Sequence, residues 1–313
     1  MINIKELFNY LPNGIMDNQR KIDVKTKVNI YYGLTKKGGK RISFLSSCRP
    51  YEIESTKLIE VLQINESENV YWTCFDLIDS NAESVYFSLI EDLINSIETC
   101  KDELSCMKEI KNRFLIWKKM LGRVVSNGMS EEKTRGIFGE LYFLYNHLAN
   151  KYSIGDAVKS WGGPDGDSKD FTINNQWFEV KTVGTSTNDV KISSLTQLDS
   201  DVEGDLAIVR IEGMSYAYSD GMSSLEELVT LILRNMDASY DRELFISKLD
   251  KLKYTPLDNA VRLKFKVHNI SLYLVNDSFP RIVAKDIKFA EIDKISYSIY
   301  IKAIDKFKDE RKI

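Results

Sequence analysis

Histidine is nearly absent from this chain, with His147 and His268 as the only two. A histidine metal cluster or a histidine-activated nucleophile would have to lean on one candidate, so those chemistries recede. Cysteine is scarce as well. Cys48, Cys74, Cys100 and Cys106 show no C-x-x-C spacing, which argues against a zinc knuckle or a redox motif. No apolar run approaches the ~20 residues of a membrane-spanning helix. The opening MINIKELFNYLPNG lacks the pattern of a secretory signal. There is no Gly-rich nucleotide loop, no internal repeat and no low-complexity tract. A formal net charge of −3 argues against a protein that coats nucleic acid through bulk positive charge. The expectation is a soluble cytoplasmic protein with free thiols and no membrane partner.

What is present suffices for a sizeable core. The 313 residues are 43% hydrophobic, enough for one large domain or two modest ones. Alternation predicts strands at 24–32, 42–48, 58–63 and 70–75. Helical spacing predicts helices at 82–98 and 103–121. Turns at Gly122 and Asn127-Gly128 suggest a boundary, giving an N-terminal α+β module over 1–125 and a second domain over 126–313. Beyond it the pattern predicts a helix at 130–148, a hairpin at 170–181 and a buried strand at 205–212. Helices follow at 223–236 and 242–252, then strands at 261–275 and 292–301.

The segment DFTINNQWFEVK, 170–181, carries the most chemistry. Asn174-Asn175 suits a two-residue turn, because Asn tolerates the positive φ such turns need. That loop sets Ile173 opposite Gln176, Phe171 opposite Phe178, and Asp170 opposite Glu179. Side chains alternate along a strand, so Lys181 joins Asp170 and Glu179 on one face. Phe171, Ile173, Phe178 and Val180 share the other, core-facing side. Two carboxylates this close repel unless a cation lies between them, and a divalent metal together with Lys181 would supply that charge. The plainer reading is a solvated sheet face with a surface ion pair.

A third acid lies upstream. Ile137, Leu141, Leu144 and Leu148 form one apolar face of the 130–148 helix, widened by Phe138, Tyr142 and Tyr145. At about 100° per residue, Glu140 falls on the rim of that arc. A partly buried acid needs a partner. The hairpin metal is one candidate, and Arg135 or a nearby lysine is another.

A helix carrying Glu, an Asp opening a strand and E-x-K on the paired strand together resemble the PD-(D/E)XK nuclease superfamily. The segments GIFGELYFL, WGGPDGDSKDF and FEVKT are similar to a stand-alone PD-(D/E)XK-motif family encoded in bacterial restriction and phage-defence clusters. The strong likeness spans about 128–199. It implies an α/β, restriction-endonuclease-like core, a mixed central sheet flanked by helices, with the α+β module preceding it. It further implies a Mg²⁺-dependent endodeoxyribonuclease, with Mn²⁺ able to substitute, that leaves 5′-phosphate ends. By that resemblance Asp170 and Glu179 bind the metal, and Lys181 orients or activates water. Glu140 binds a second metal or its water. The literal Pro-Asp pair is Pro164-Asp165, but the hairpin register favours Asp170. A non-catalytic DNA-binding or assembly subunit, an RNA-directed nuclease and a homodimeric enzyme all stay open.

Basic residues cluster early. Lys36, Lys37, Lys40 and Arg41, around Gly38-Gly39, are candidate DNA contacts, or an ordinary soluble hairpin tip. Gln197 is a candidate contact for phosphate or a metal-bound water, set against a plain helix-start role for its Ser-Ser segment. Arg262, Lys264, Lys266 and His268 would share one strand face that could lie along a phosphate backbone, although a merely solvated face is the better reading.

Overall fold

The computed structural model describes residues 4–9, 19–121, 129–218, 220, 222–236, 239–256, 258–289, 291–292 and 294–309. The chain divides into two compact units, Met1–Ser126 with Tyr254–Leu257, and Asn127–Lys253 with Asp258–Ile313. The expected turns at Gly122 and Asn127-Gly128 lie outside the described residues.

The first unit begins with a short helix, α1 (Ile4–Asn9). Its strands are β1 (Arg20–Lys21), β2 (Asn29–Leu34), β3 (Lys40–Ser46), β4 (Ile59–Ser67) and β5 (Val70–Leu77), in the order β1-β2-β3-β5-β4, all antiparallel. Helices α2 (Glu83–Ile97) and α3 (Glu103–Leu121) pack on each other. Leu89, Leu93 and Ile97 on α2, and Ile110, Phe114 and Trp117 on α3, are buried as their spacing predicts. The strand expected over 24–32 is a correction: ladder pairing starts only at Asn29, and 22–28 is not strand.

In the second unit, α4 (Glu131–Phe143) starts at Ser130, whose side chain accepts from the Lys133 N–H. The helix continues as one π-helical turn, Leu144–Leu148, and as α5 (Ala149–Lys151). A further helix, α6 (Ile154–Ser160), was not legible in the sequence pattern. Next come β6 (Phe171–Ile173), β7 (Gln176–Gly184), β8 (Asp189–Ile192) and β9 (Gly204–Met214). Helices α7 (Leu225–Arg234) and α8 (Ser239–Lys251) lead to β10 (Lys264–Val275) and β11 (Tyr297–Tyr300). The central sheet runs β10-β9-β7-β6 and is mixed: β7 and β9 are parallel, the other neighbours antiparallel. A two-stranded sheet, β11-β8, stands apart. The α/β, restriction-endonuclease-like class expected from the sequence is what the chain adopts.

Strand β7 is buried on both faces, where the sequence suggested only one. Phe178 packs against Phe143 at a centroid distance of 5.3 Å, and a Cβ on Gly139 would stand 1.8 Å from the Thr182 Oγ1. Only a glycine lets α4 approach this closely. On the alternate positions, Trp177 and Val183 join a cluster with Val190, Ile192, Leu198, Leu206, Tyr273 and Ile299.

Candidate active site

The hairpin closes on Asn174 and Asn175, with φ of 48° and 63°, both in the left-handed region a two-residue turn requires. Its ladder pairs Ile173 with Gln176 and Phe171 with Phe178. Asp170 lies one residue outside the ladder and is held by other bonds. Its Oδ2 accepts the Val180 N–H at 2.7 Å, and its carbonyl accepts from Gly162 N at 2.9 Å. A buried carboxylate thus takes the place of a backbone acceptor at the hairpin mouth.

Glu179 retains only 1% of its surface. Lys181 Nζ stands 2.8 Å from its Oε1, an ion pair outside hydrogen-bond angles, so Oε1 is buried with no hydrogen-bond partner. Glu140, on α4, keeps part of its surface open while its carboxylate is walled by protein. The indole N–H of Trp161 donates to Glu140 Oε2 at 2.7 Å. A Cβ on Gly163 would stand 3.2 Å from Glu140 Oε2 and 3.5 Å from Asp170 Oδ1, so both acids flank the same small space. Asp170, Glu179, Lys181, Glu140 and Gln197 all line one cleft of about 800 Å³.

Burial dominates the electrostatics of these acids. It pushes Glu140 well above the carboxylate range, aided by Asp170 and Glu179 and opposed by the Trp161 N–H and Lys181. Burial, then repulsion from Asp170, raises Glu179 to about 8 against the pull of Lys181 and Lys169. Asp170 is raised by burial and restrained by the Val180 N–H, Lys181 and Lys169. Lys181 and the more distant pull of Lys169 do not offset the burial of three neighbouring acids, all of which are shifted upward.

A hard divalent cation fits this donor chemistry. All the donors are carboxylate oxygens, and they are buried and mutually repelling. As the side chains stand, no three acidic, histidine or cysteine groups among the described residues converge on one point. The set would therefore hold a metal through one or two carboxylates plus water, as Mg²⁺ accepts.

Two cations brace the loops beside the cleft. Lys169, 8% exposed, donates to the carbonyls of Thr196, Gln197 and Asp199 at 2.5–2.9 Å and lies over the Trp177 ring. Arg210 Nη1 reaches the carbonyls of Gly184, Thr185 and Thr187. Gln197 Oε1 accepts the Ser193 N–H at 2.7 Å, which fixes its side chain. The roles of Lys169, Arg210 and Trp161 were not legible, because each depends on a partner distant in sequence. The only signal was the position of Trp161 and Lys169 inside WGGPDGDSKDF.

Asp165 serves elsewhere. Its oxygens bind Lys248 and Lys251 on α8, whose hydrogen bonds hold its pKa below the usual range. The basic face weighed for β10 is largely taken up by acids, with Lys266 exposed on the strand. Arg262 precedes the strand and pairs with Glu226, and Lys264 pairs with Glu227. His268 sits at a bulge between Val267 and Asn269 and meets Glu212. In the first unit, Arg41 forms a two-bond fork with Asp76 at 2.6 and 2.5 Å, and Lys40 pairs with Glu83. Lys36 and Lys37 occupy the exposed hairpin tip. These four line a separate pocket of about 660 Å³. All four cysteines are free thiols. Among the described residues, no helix is long and apolar enough to cross a membrane.

Over residues 4–302 the chain matches a family model described as "Putative PD-(D/E)XK family member, (DUF4420)". No curated protein and no solved structure matches it.

Proposed function

The chain belongs to this PD-(D/E)XK family, and from that membership we propose that it is a Mg²⁺-dependent endodeoxyribonuclease acting in restriction or phage defence. The observation that carries the reading is the crowding of Asp170, Glu179 and Glu140 around one cleft that Lys181 also lines. Burying three carboxylates together is costly, and a divalent ion relieves that cost.

Asp170 and Glu179 are the residues to hold the ion, with Glu140 taking a second ion or a water. When bound, such an ion neutralises the phosphate and acidifies an attacking water. Lys181 presents its ammonium 2.8 Å from Glu179, placed to stabilise charge developing on a phosphate oxygen. The Val180 N–H keeps one Asp170 oxygen fixed so that the other can serve the cleft. Lys169 and Arg210 brace the flanking loops through their carbonyls, which limits the reordering those loops would need when a substrate binds. Gln197, Lys36 and Lys37 are the further DNA contacts proposed.

Supercoiled plasmid incubated with Mg²⁺, Mn²⁺ or EDTA tests the reading. Cleavage by the wild type that needs metal and drops at least 100-fold in Lys181→Ala supports it. Equal cleavage by both proteins removes the assigned site.

A second reading is a non-catalytic DNA-binding or assembly subunit of a defence complex, and the acidic cleft rim favours its assembly form. Glu131, Glu132 and Asp189 outnumber Arg135 and Lys191 there, and Arg262, Lys264 and His268 are already engaged by acids. Metal-independent DNA or partner binding, with no cleavage under any divalent ion, is the outcome that selects it.

A further inference from the structure

The segment just before the hairpin touches both Glu140 and Asp170, although nothing in its residue types announces a role in chemistry. Trp161 ends α6 and is fully buried. Its indole N–H donates to Glu140 Oε2 at 2.7 Å. Its backbone forms a β-bridge with Phe171, the residue after Asp170. The next two amides, Gly162 and Gly163, point at the Asp170 carbonyl at 2.9 and 3.4 Å. One short stretch of chain therefore fixes the side chain of one acid and the backbone of the other.

That stretch is itself anchored. Lys248 on α8, 3% exposed, donates to the Trp161 carbonyl and to Asp165 Oδ2. The indole ring packs against Phe245, also on α8, at a centroid distance of 6.0 Å. Ring and carbonyl are thus both tied to the same helix. The ring has little freedom to swing, and its N–H direction is set by the fold. A neutral donor aimed at a carboxylate from a rigid mount restricts that carboxylate to one rotamer without cancelling its charge. A lysine or arginine in the same place would neutralise the acid and compete with a metal.

We propose that Trp161 is a positioning residue, whose indole N–H holds the Glu140 carboxylate toward the space it shares with Asp170 so that it can meet a divalent ion. This rests on the reading of Asp170, Glu179 and Glu140 as the metal-holding set. Trp161 acts through Glu140 and touches no substrate.

The test uses the full chain, ¹⁵N-labelled at tryptophan indoles and at valine amides, titrated with Mg²⁺ alone. Trp161→Phe identifies its indole signal. If that variant does not fold, Glu140→Gln and Glu140→Ala identify it instead, as the signal that moves in both. The expected result is that Mg²⁺ shifts the Val180 amide and the Trp161 indole together, and that Glu140→Ala removes the indole response. Trp161→Phe, which keeps a buried ring, should weaken Mn²⁺ binding by about tenfold, as for other outer residues that orient a ligand. In a Glu140→Ala background the same change should cost nothing further. A Val180 shift with an unmoved Trp161 indole overturns the role of Trp161 while leaving the site reading intact. An equal loss of Mn²⁺ affinity in the Glu140→Ala background overturns it too, because the tryptophan would then act through packing alone. No shift at either position defeats the site reading, and the proposal with it.

Discussion

Raising the pH of the metal-free protein should weaken the unit that holds the acids, and Glu179 sets the size of the effect. Its carboxyl titrates near 8 when folded, against 4.5 ordinarily. Between those values the folded state binds more protons than the unfolded state, so stability falls as pH rises. Below about pH 4.5 the contribution is fully present, and it is lost as pH climbs through about 8. At ~1.36 kcal/mol per unit the shift corresponds to an upper figure on the order of 5 kcal/mol, and relaxation around the acid would reduce it. Glu140 is displaced the same way and adds to the loss. This is a large fraction of the roughly 5–15 kcal/mol that holds a typical domain folded. Urea unfolding in EDTA, at about pH 5 and about pH 8.5, measures it through tryptophan emission. Glu179→Gln cannot ionise, so its stability should fall by several kcal/mol less over the same interval. Saturating Mg²⁺ should restore the wild type at the higher pH, since binding the ion means releasing the protons. Identical pH slopes for wild type and Glu179→Gln would refute the reasoning, as would a wild type that gains stability on going alkaline.

Three further outcomes follow from contacts described above. Gly139→Ala drives a methyl into the Thr182 hydroxyl and should cost about 1–3 kcal/mol in thermal or urea unfolding; Thr182→Ala in the same chain should recover much of it. Lys169→Met strips three carbonyls of their donor and should cost about 2–3 kcal/mol, with faster amide exchange confined to the 194–199 loop. Asp165→Asn leaves the buried Lys248 without its carboxylate and should destabilise by about 3 kcal/mol, while the metal dependence of plasmid cleavage stays as in the wild type.

The hairpin and its turn were readable because their determinants are local. Two asparagines fix the turn, and alternation fixes which residues share a face. The α4 helix was readable for the same reason, through its apolar spacing. What escaped depends on partners far along the chain. Glu179 reads as an exposed strand residue until β8 and β11 are known to cover that face. The cations before and along β10 look like a basic stripe until Glu226, Glu227 and Glu212 arrive from α7 and β9. Trp161 is an ordinary core aromatic by composition, and only the return of α4 places an acid within reach of its N–H. The helix α6 is only seven residues long, too short for a periodic signal.

The arrangement of β7 also bears on the order in which the chain folds. The hairpin joins neighbours in sequence, so its pairing can form on the order of microseconds, while Asp170 and Glu179 are still hydrated and ionised. Their desolvation needs the parallel partner β9 and α4, which lie on either side of the hairpin in sequence and pack on β7 only in the folded unit. The costly desolvation of Glu140 and Glu179 therefore belongs to the packing of α4 and β9 onto the hairpin rather than to the hairpin itself. An ion captured by the open hairpin would lower that barrier before the walls close, so divalent cations should speed refolding as well as strengthen the finished protein.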